Sequence, residues 1–148
     1  MLDSHDNSSE GQDSRLQRAD CPFCHPDFAA RAIDQSGGLL VVPDLYPVTP
    51  GHLLIVPIEH FIDFFALPEY LRHLADQLLF KHRRRILAED PAVTGFNIGM
   101  NCGAVAGQTV MHAHIHLIPR RQGDTPAPRG GVRGCVPEKM GYLLKDRL

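Results

Sequence analysis

The stretch Val110-Met111-His112-Ala113-His114-Ile115-His116-Leu117-Ile118 alternates imidazoles with apolar side chains. Period-two alternation is the pattern of a half-covered strand, so the spacing predicts a β-strand over 110–118. Strand residues alternate faces, with next neighbours roughly 6.6 Å apart along the backbone. His112, His114 and His116 are therefore expected in a row on one exposed side, with Ala113, Ile115 and Leu117 turned to the core. One buried histidine is ordinary packing, but three in register are poor core material. Two chemistries use such a row. Two rings plus a remote ligand can hold zinc or non-haem iron, or one ring can act as a nucleophile that its neighbours orient.

The segment entering the strand, Gly103-Ala104-Val105-Ala106-Gly107-Gln108-Thr109, separates the two. Gly107 permits close backbone approach, and Gln108 and Thr109 add neutral hydrogen-bond donors beside the rings. Such donors suit phosphate oxygens, whereas a catalytic metal would call for carboxylates. Phosphate chemistry is the expectation.

Working outward, Leu39–Val42 follows Gly37-Gly38 and reads as a strand entered from a hairpin turn. After the bend Tyr46-Pro47-Val48-Thr49-Pro50-Gly51, Leu53–Val56 makes a second apolar strand, stopped by Pro57. Leu71, Leu74, Ala75, Leu78, Leu79, His82 and Ile86 recur at helical spacing, which predicts a helix from about Pro68 to Ala88. Its Lys81–Arg85 end suits a helix carboxyl terminus. Gly95–Met100 alternates as a further strand, with Phe96 and Ile98 on one face. One long helix among strands with hairpin-like links implies an α+β fold on a mainly antiparallel sheet.

Composition narrows the class. A chain of 148 residues, 43% hydrophobic and 22% charged, supports one globular domain. Residues 1–20 hold five acids, two arginines and no apolar periodicity, and are expected to be a disordered polar tail before a domain over 21–148. The formal charge of −2 argues against a nucleic-acid partner. No apolar run approaches the ~18 residues of a membrane span, and no basic-then-apolar leader opens the chain. A cytoplasmic protein is expected, its four cysteines as thiols or metal ligands. Cys21-Pro22-Phe23-Cys24 is a lone CxxC, open to zinc, a thiol pair or a disulfide. His25-Pro26 is expected to break any thioredoxin-like helix after it. Cys102 and Cys135 read as bystanders; His25, His73 and His82 read as surface or packing residues.

The run Asn101 to Arg120, with Ala106-Gly107-Gln108-Thr109-Val110 before the three histidines and Pro119-Arg120 after, resembles the signature of the histidine triad (HIT) family. Tyr46–His52 and Val56–His60 match that family's upstream sequence. The resemblance implies a HIT fold, as a rule a homodimer whose two sheets join, and hydrolysis or transfer at the α-phosphate of a purine nucleotide. It implies His114 as nucleophile, forming a nucleotidyl-histidine that water resolves, with its ring held by the His112 carbonyl. His116 and Thr109 would contact phosphate oxygens and leaving group, with Gln108, Gly107, Asn101 and the upstream His52 nearby. It places Asp44 on the ribose hydroxyls and Phe23, Val42 and Leu45 around the base. It also completes the CxxC with His60 and His112 as a structural zinc site, with no organic cofactor. Substrates implied are dinucleoside polyphosphates, nucleoside phosphoramidates or other AMP conjugates. The alternatives are a nucleotidyltransferase or phosphorylase using the same intermediate, and a zinc-stabilised nucleotide-binding module without turnover. Transferases of the galactose-phosphate type carry glutamine at the third triad position, so His116 favours hydrolysis. The basic carboxyl-terminal extension resembles those of some bacterial HIT hydrolases, so Arg129 or Arg133 is expected near a distal phosphate or leaving group.

Overall fold

A computed structural model describes residues 18–141. Residues 1–17 of the expected polar tail lie outside the described residues, as do 142–148. The apolar runs form the centre of one antiparallel sheet. Its strands are β1 (Asp34–Ser36), β2 (Leu39–Pro43), β3 (Leu53–Pro57), β4 (Val93–Gly99) and β5 (Ile115–Arg121), in the spatial order β1-β2-β3-β5-β4. A one-turn helix, α1 (Pro26–Ala29), precedes the sheet, and a long helix, α2 (Glu69–Glu89), joins β3 to β4. This is the α+β architecture that the sequence predicts. No helix among the described residues is long and apolar enough to cross a membrane.

Neither Leu39–Val42 nor Leu53–Val56 alternates, because both faces of these strands are covered. Leu39, Val41, Leu53, Ile55, Ile115 and Leu117 pack with Leu71, Ala75, Leu78 and Ile86 of α2. On the opposite face Leu40, Val42, Leu54 and Val56 pack beneath Phe28, with Phe23 beside them. The register pairs Leu54 with His116 and Val42 with Leu54, so His116 stands on this second face, away from α2. Gly37 and Gly38, at φ +52° and +96°, make the tight turn between β1 and β2. Two consecutive left-handed residues suit the twist of a hairpin and strain any side chain placed there.

The helix expected over 68–88 runs from 69 to 89, with Pro68 as its N-cap. Its basic run does not end it. The last turn holds no cation, and Lys81 and His82 instead reach back to Asp34 on β1, at 2.7 and 2.8 Å. After Pro26 only a single helical turn follows, not a thioredoxin-like helix. Pro26 opens α1, where its missing N–H costs nothing, and the His25 ring accepts from Asp27 N–H at 3.2 Å.

The largest correction concerns the histidine row. Strand β5 starts at Ile115, not Val110, and residues 110–114 are irregular. The ladder with β3 ends at Ile55↔Ile115. Pro57 on β3 has no N–H to continue it, and its carbonyl takes the His112 ring at 2.8 Å. The Ala113 N–H goes to the Phe61 carbonyl at 2.6 Å instead. His112 is thereby turned out of the row and fully buried, while His114 and His116 remain half-buried. The apolar parity holds, with Ala113, Ile115 and Leu117 all in the core.

The Asp34–His82 contact ties the β1–β2 hairpin to α2 inside the fold, since His82 is 2% exposed. Asp34→Ala is expected to destabilise the protein by about 1–3 kcal/mol by leaving a buried ring N–H without an acceptor. Urea denaturation measures it, and adding His82→Leu should recover part of the loss.

Candidate functional site

His114 sits just before β5, and its Nδ1–H donates to the His112 carbonyl at 2.8 Å. The carbonyl can only accept, so the proton of the neutral ring lies on Nδ1 and Nε2 keeps its lone pair. The next ring is fixed from further away. The main-chain N–H of Val48 donates to His52 Nδ1 at 3.1 Å, which puts the His52 proton on Nε2. That Nε2–H points to His116 Nδ1 at 2.9 Å. His116 therefore bears its own proton on Nε2. One backbone amide thus orders two imidazoles head to tail, ending in a donor beside an unprotonated nucleophilic nitrogen. Burial pushes the His52 pKa below its ordinary value, and Asp44 opposes this in part. His116 is pushed down to about 4 by burial first, then by the neighbouring rings of His114 and His52. Both are neutral at pH 7, as the ordering requires.

Asp44 uses its side chain twice. One oxygen accepts from Tyr46 N–H at 2.9 Å, a local turn bond, and the other lies 3.5 Å from His52 Nε2. Donor atoms of Asp44, His52 and His116 lie within 4.8 Å of one another, close enough to share a cation. The tautomer argues against it. A metal on His52 Nε2 would displace the proton of a ring whose other nitrogen already accepts a hydrogen bond.

A second cluster lies directly behind the first. Cys21 Sγ and Cys24 Sγ are each 3.5 Å from His112 Nδ1, and Cys24 Sγ is 3.4 Å from His60 Nδ1. The four donor atoms lie within 4.8 Å of one another and all four residues are buried. Tetrahedral zinc, with bonds near 2.3 Å to sulfur and 2.0–2.1 Å to nitrogen, would separate a sulfur from a nitrogen by about 3.6 Å. The observed spacings match. His112 donates its Nε2–H to the Pro57 carbonyl, so its Nδ1 lone pair is the one presented to the sulfurs. Burial raises the Cys24 thiol and lowers His60, and pushes His112 down to about 4. The rings are held neutral, and a thiolate here needs a cation to stabilise it. The residues fit a closed metal site.

His114 and His116 line a cleft of about 790 Å³ whose walls include Phe23, Leu45, Leu54, Asp44 and Thr109. Phe23 meets the His114 ring edge-on at 5.2 Å and stacks on Phe28 at 4.5 Å. Four residues expected at the site are placed differently. Val42 does not reach the cleft; it is fully buried in the layer beneath Phe28. Gln108 does not offer its amide to the rings, because both N–H groups are spent on the Ile62 and Val110 carbonyls, at 2.7 and 3.1 Å, and its oxygen accepts from Gly103 N–H. It is the clamp of the loop. Asn101 and Gly107 are exposed on that loop and outside the cleft lining. Gly107 is needed for its backbone, at φ +88°. Arg133 donates to the Lys139 carbonyl, and neither it nor Arg129 lines the cleft of its own chain. Leu54, Phe28, Tyr46 and Arg31 line it without having been expected. Leu54 was legible, since it is two residues from His52 and shares its parity; the other three depend on how the segment from 23 to 46 folds.

An antiparallel sheet, one long helix and a histidine pair ahead of a central strand define the architecture of histidine triad proteins. The family model for the HIT domain matches residues 27–123, and the chain belongs to that family. It is 32% identical over 135 residues to an uncharacterized HIT-like protein of Mycobacterium tuberculosis, covering 86% of this chain and 92% of that one. An AP-4-A phosphorylase of the same organism is 34% identical over 85 residues, 56% of this chain and 43% of the relative. Among solved structures, a HIT family protein from Bacillus anthracis superposes with a TM-score of 0.65 at 33% identity, covering 72% of this chain and 77% of the other. A Zn-bound histidine triad family protein from Mycobacterium smegmatis gives 0.65 at 29% identity, over 73% and 80%.

Gln108→Ala would unpair three backbone groups at once. It should raise amide exchange across residues 103–110 by roughly five- to a hundredfold, the equivalent of about 1–3 kcal/mol of local stability. Exchange measured by mass spectrometry checks it, with the sheet amides as the unaffected control.

Proposed function

We infer that the protein is a nucleotide hydrolase acting at the α-phosphate of a purine nucleotide that bears a leaving group. Dinucleoside polyphosphates and nucleoside phosphoramidates or other AMP conjugates are the substrate classes. The observation that carries the reading is the hydrogen bond from His114 Nδ1–H to the His112 carbonyl, which leaves an unprotonated Nε2 on a ring that lines the cleft.

In the first step His114 Nε2 gives its lone pair to the α-phosphorus, and the bond from phosphorus to the leaving group breaks. The electron pair of that bond stays on the leaving group, which His116 Nε2–H would steady by a hydrogen bond, held in place by the ordered His52 behind it, and which takes its proton from solvent. The ring on phosphorus is then cationic and a good leaving group. Water attacks the phosphorus and loses its proton to solvent, the phosphorus–nitrogen bond breaks, and its electron pair returns to His114, which is neutral again. Donors already in place around a developing charge are worth a few kcal/mol each. Phe23, Leu45 and Leu54 would flank the base and Asp44 would take the ribose hydroxyls, with Thr109 near the phosphate oxygens. Cys21, Cys24, His60 and His112 would hold a structural zinc ion, which neutralises the thiolates and fixes the residue whose carbonyl aims His114. Strand β4 is an edge of the sheet, with Ile98 exposed on it and Phe80 exposed on α2. A second copy pairing there would continue the sheet across a homodimer. Among the described residues all cysteines are free, which suits a reducing cytoplasm.

The phosphorylase reading is favoured by one relative, the AP-4-A phosphorylase. It shares the intermediate and differs only in the acceptor. The test is an acid-quenched reaction with diadenosine tetraphosphate and with adenosine phosphoramidate, followed by intact-mass analysis. A nucleotidyl increment on the peptide holding residues 110–118 is expected, and its absence under turnover would refute the mechanism. Inorganic phosphate added before the quench distinguishes the acceptors, AMP marking hydrolysis and ADP marking phosphorolysis. His114→Ala should lose turnover by several orders of magnitude and still bind nucleotide. A binding module would show no turnover to lose.

Zinc is expected at one ion per chain by elemental analysis, and Cys24→Ser should abolish it. Prolonged chelation should lower the thermal midpoint before it lowers activity measured well below that midpoint. Immediate loss of activity with the fold intact would point to a metal in the chemistry itself.

A further inference from the structure

Arg31 is the one arginine or lysine among the residues lining the His114 cleft, and it has no carboxylate within 4.0 Å among the described residues. Its commitments are light. One Nη1–H reaches the Pro43 carbonyl at 3.4 Å, the long end of hydrogen bonding, and its guanidinium lies 5.2 Å over the Phe28 ring. Asp27, four residues before it, also lines the cleft, but its carboxylate turns to His25 at 3.4 Å rather than to Arg31. Here both are left facing the same space.

The rings fix where Arg31 stands along the cleft. His114 meets Phe23 at 5.2 Å, Phe23 stacks on Phe28 at 4.5 Å, and Phe28 carries Arg31 at 5.2 Å. Arg31 also reaches Pro43 on β2, two strands across the sheet from β5, which His114 precedes, so it stands away from the nucleophile. A nucleotide with its α-phosphate on His114 has its base, not its phosphate, at that end. A second phosphate is disfavoured there, because Asp27, next to Phe28 in the chain, also lines the cleft.

We propose that Arg31 is a specificity-determining residue that reads the outer edge of the base and selects a 6-oxopurine, guanine or hypoxanthine, over adenine. The inference rests on the nucleotide reading above. Guanidinium offers five N–H donors and no acceptor. Guanine and hypoxanthine present two adjacent acceptors, O6 and N7, which match its fork, whereas adenine places an amino group at position 6 against it. Guanine additionally carries N1–H and an exocyclic amine, donors for a carboxylate such as Asp27. Within the substrate classes above, guanosine or inosine conjugates would then be preferred over the adenosine ones.

Calorimetric titration of the full-length protein with GMP, IMP and AMP tests this. GMP and IMP should bind roughly tenfold or more tighter than AMP. Arg31→Gln should bring both to the AMP value, with AMP itself little changed. Arg31→Lys keeps charge and stem but loses the fork, so it should also lose most of the discrimination and guards against a folding defect in the first variant. An unchanged thermal midpoint in either variant secures the comparison. Equal or tighter AMP binding by the wild type overturns the proposal. So does an equal loss for all three nucleotides in Arg31→Lys, which would make Arg31 a brace for Phe28. If none of the three binds the wild type, the nucleotide reading itself has failed, an outcome distinct from AMP binding as well as GMP.

Discussion

The candidate site depends on the capture of the His112 ring by the carbonyl of Pro57. That bond settles which ring nitrogen carries the proton, and so which one faces Cys21 and Cys24. It also pulls residue 112 out of the sheet, bringing its own carbonyl under His114. One side chain and one main-chain oxygen of the same residue thereby serve the two clusters. Proline supplies the opening: having no N–H, it cannot extend the ladder, and its carbonyl is left for a side chain.

The two clusters share walls as well as a residue. Cys21 belongs to the buried thiol–imidazole group and also lines the cleft, and Phe23, between the two cysteines, touches the His114 ring. Whatever holds the CxxC in place therefore holds one side of the cleft. In a chain of this size, with two thin apolar layers on a five-stranded sheet, such a staple carries weight that a larger core would spread over many contacts.

Much of the fold was legible because it rests on periodicity. The α2 pattern, the two apolar runs and the Gly37-Gly38 turn each follow from a local rule, and each stands within a residue or two of its expected place. The row of three histidines misled in a specific way. Alternation continues through residues 110–118, but a strand also needs a partner with free N–H groups, and Pro57 denies it one. From sequence alone Gln108 reads as a donor to the site, because its bonds to the Ile62 and Val110 carbonyls and the Gly103 N–H depend on how the loop folds. Val42 has the parity of the cleft face, yet Phe28 covers it. Such burial from above belongs to tertiary packing, which no local pattern encodes. The family resemblance supplied what spacing could not, bringing His52, His60 and Asp44 beside residues more than fifty positions away.

The polarity of the His52–His116 pair originates in the peptide N–H of residue 48, not in any side chain. Every amino acid except proline brings that group, so the identity of residue 48 can drift freely while the imidazoles stay poised the same way. The orientation of the proton-donating end is in this sense inherited from chain geometry, and a change of loop shape would reverse it where a change of side chain would not.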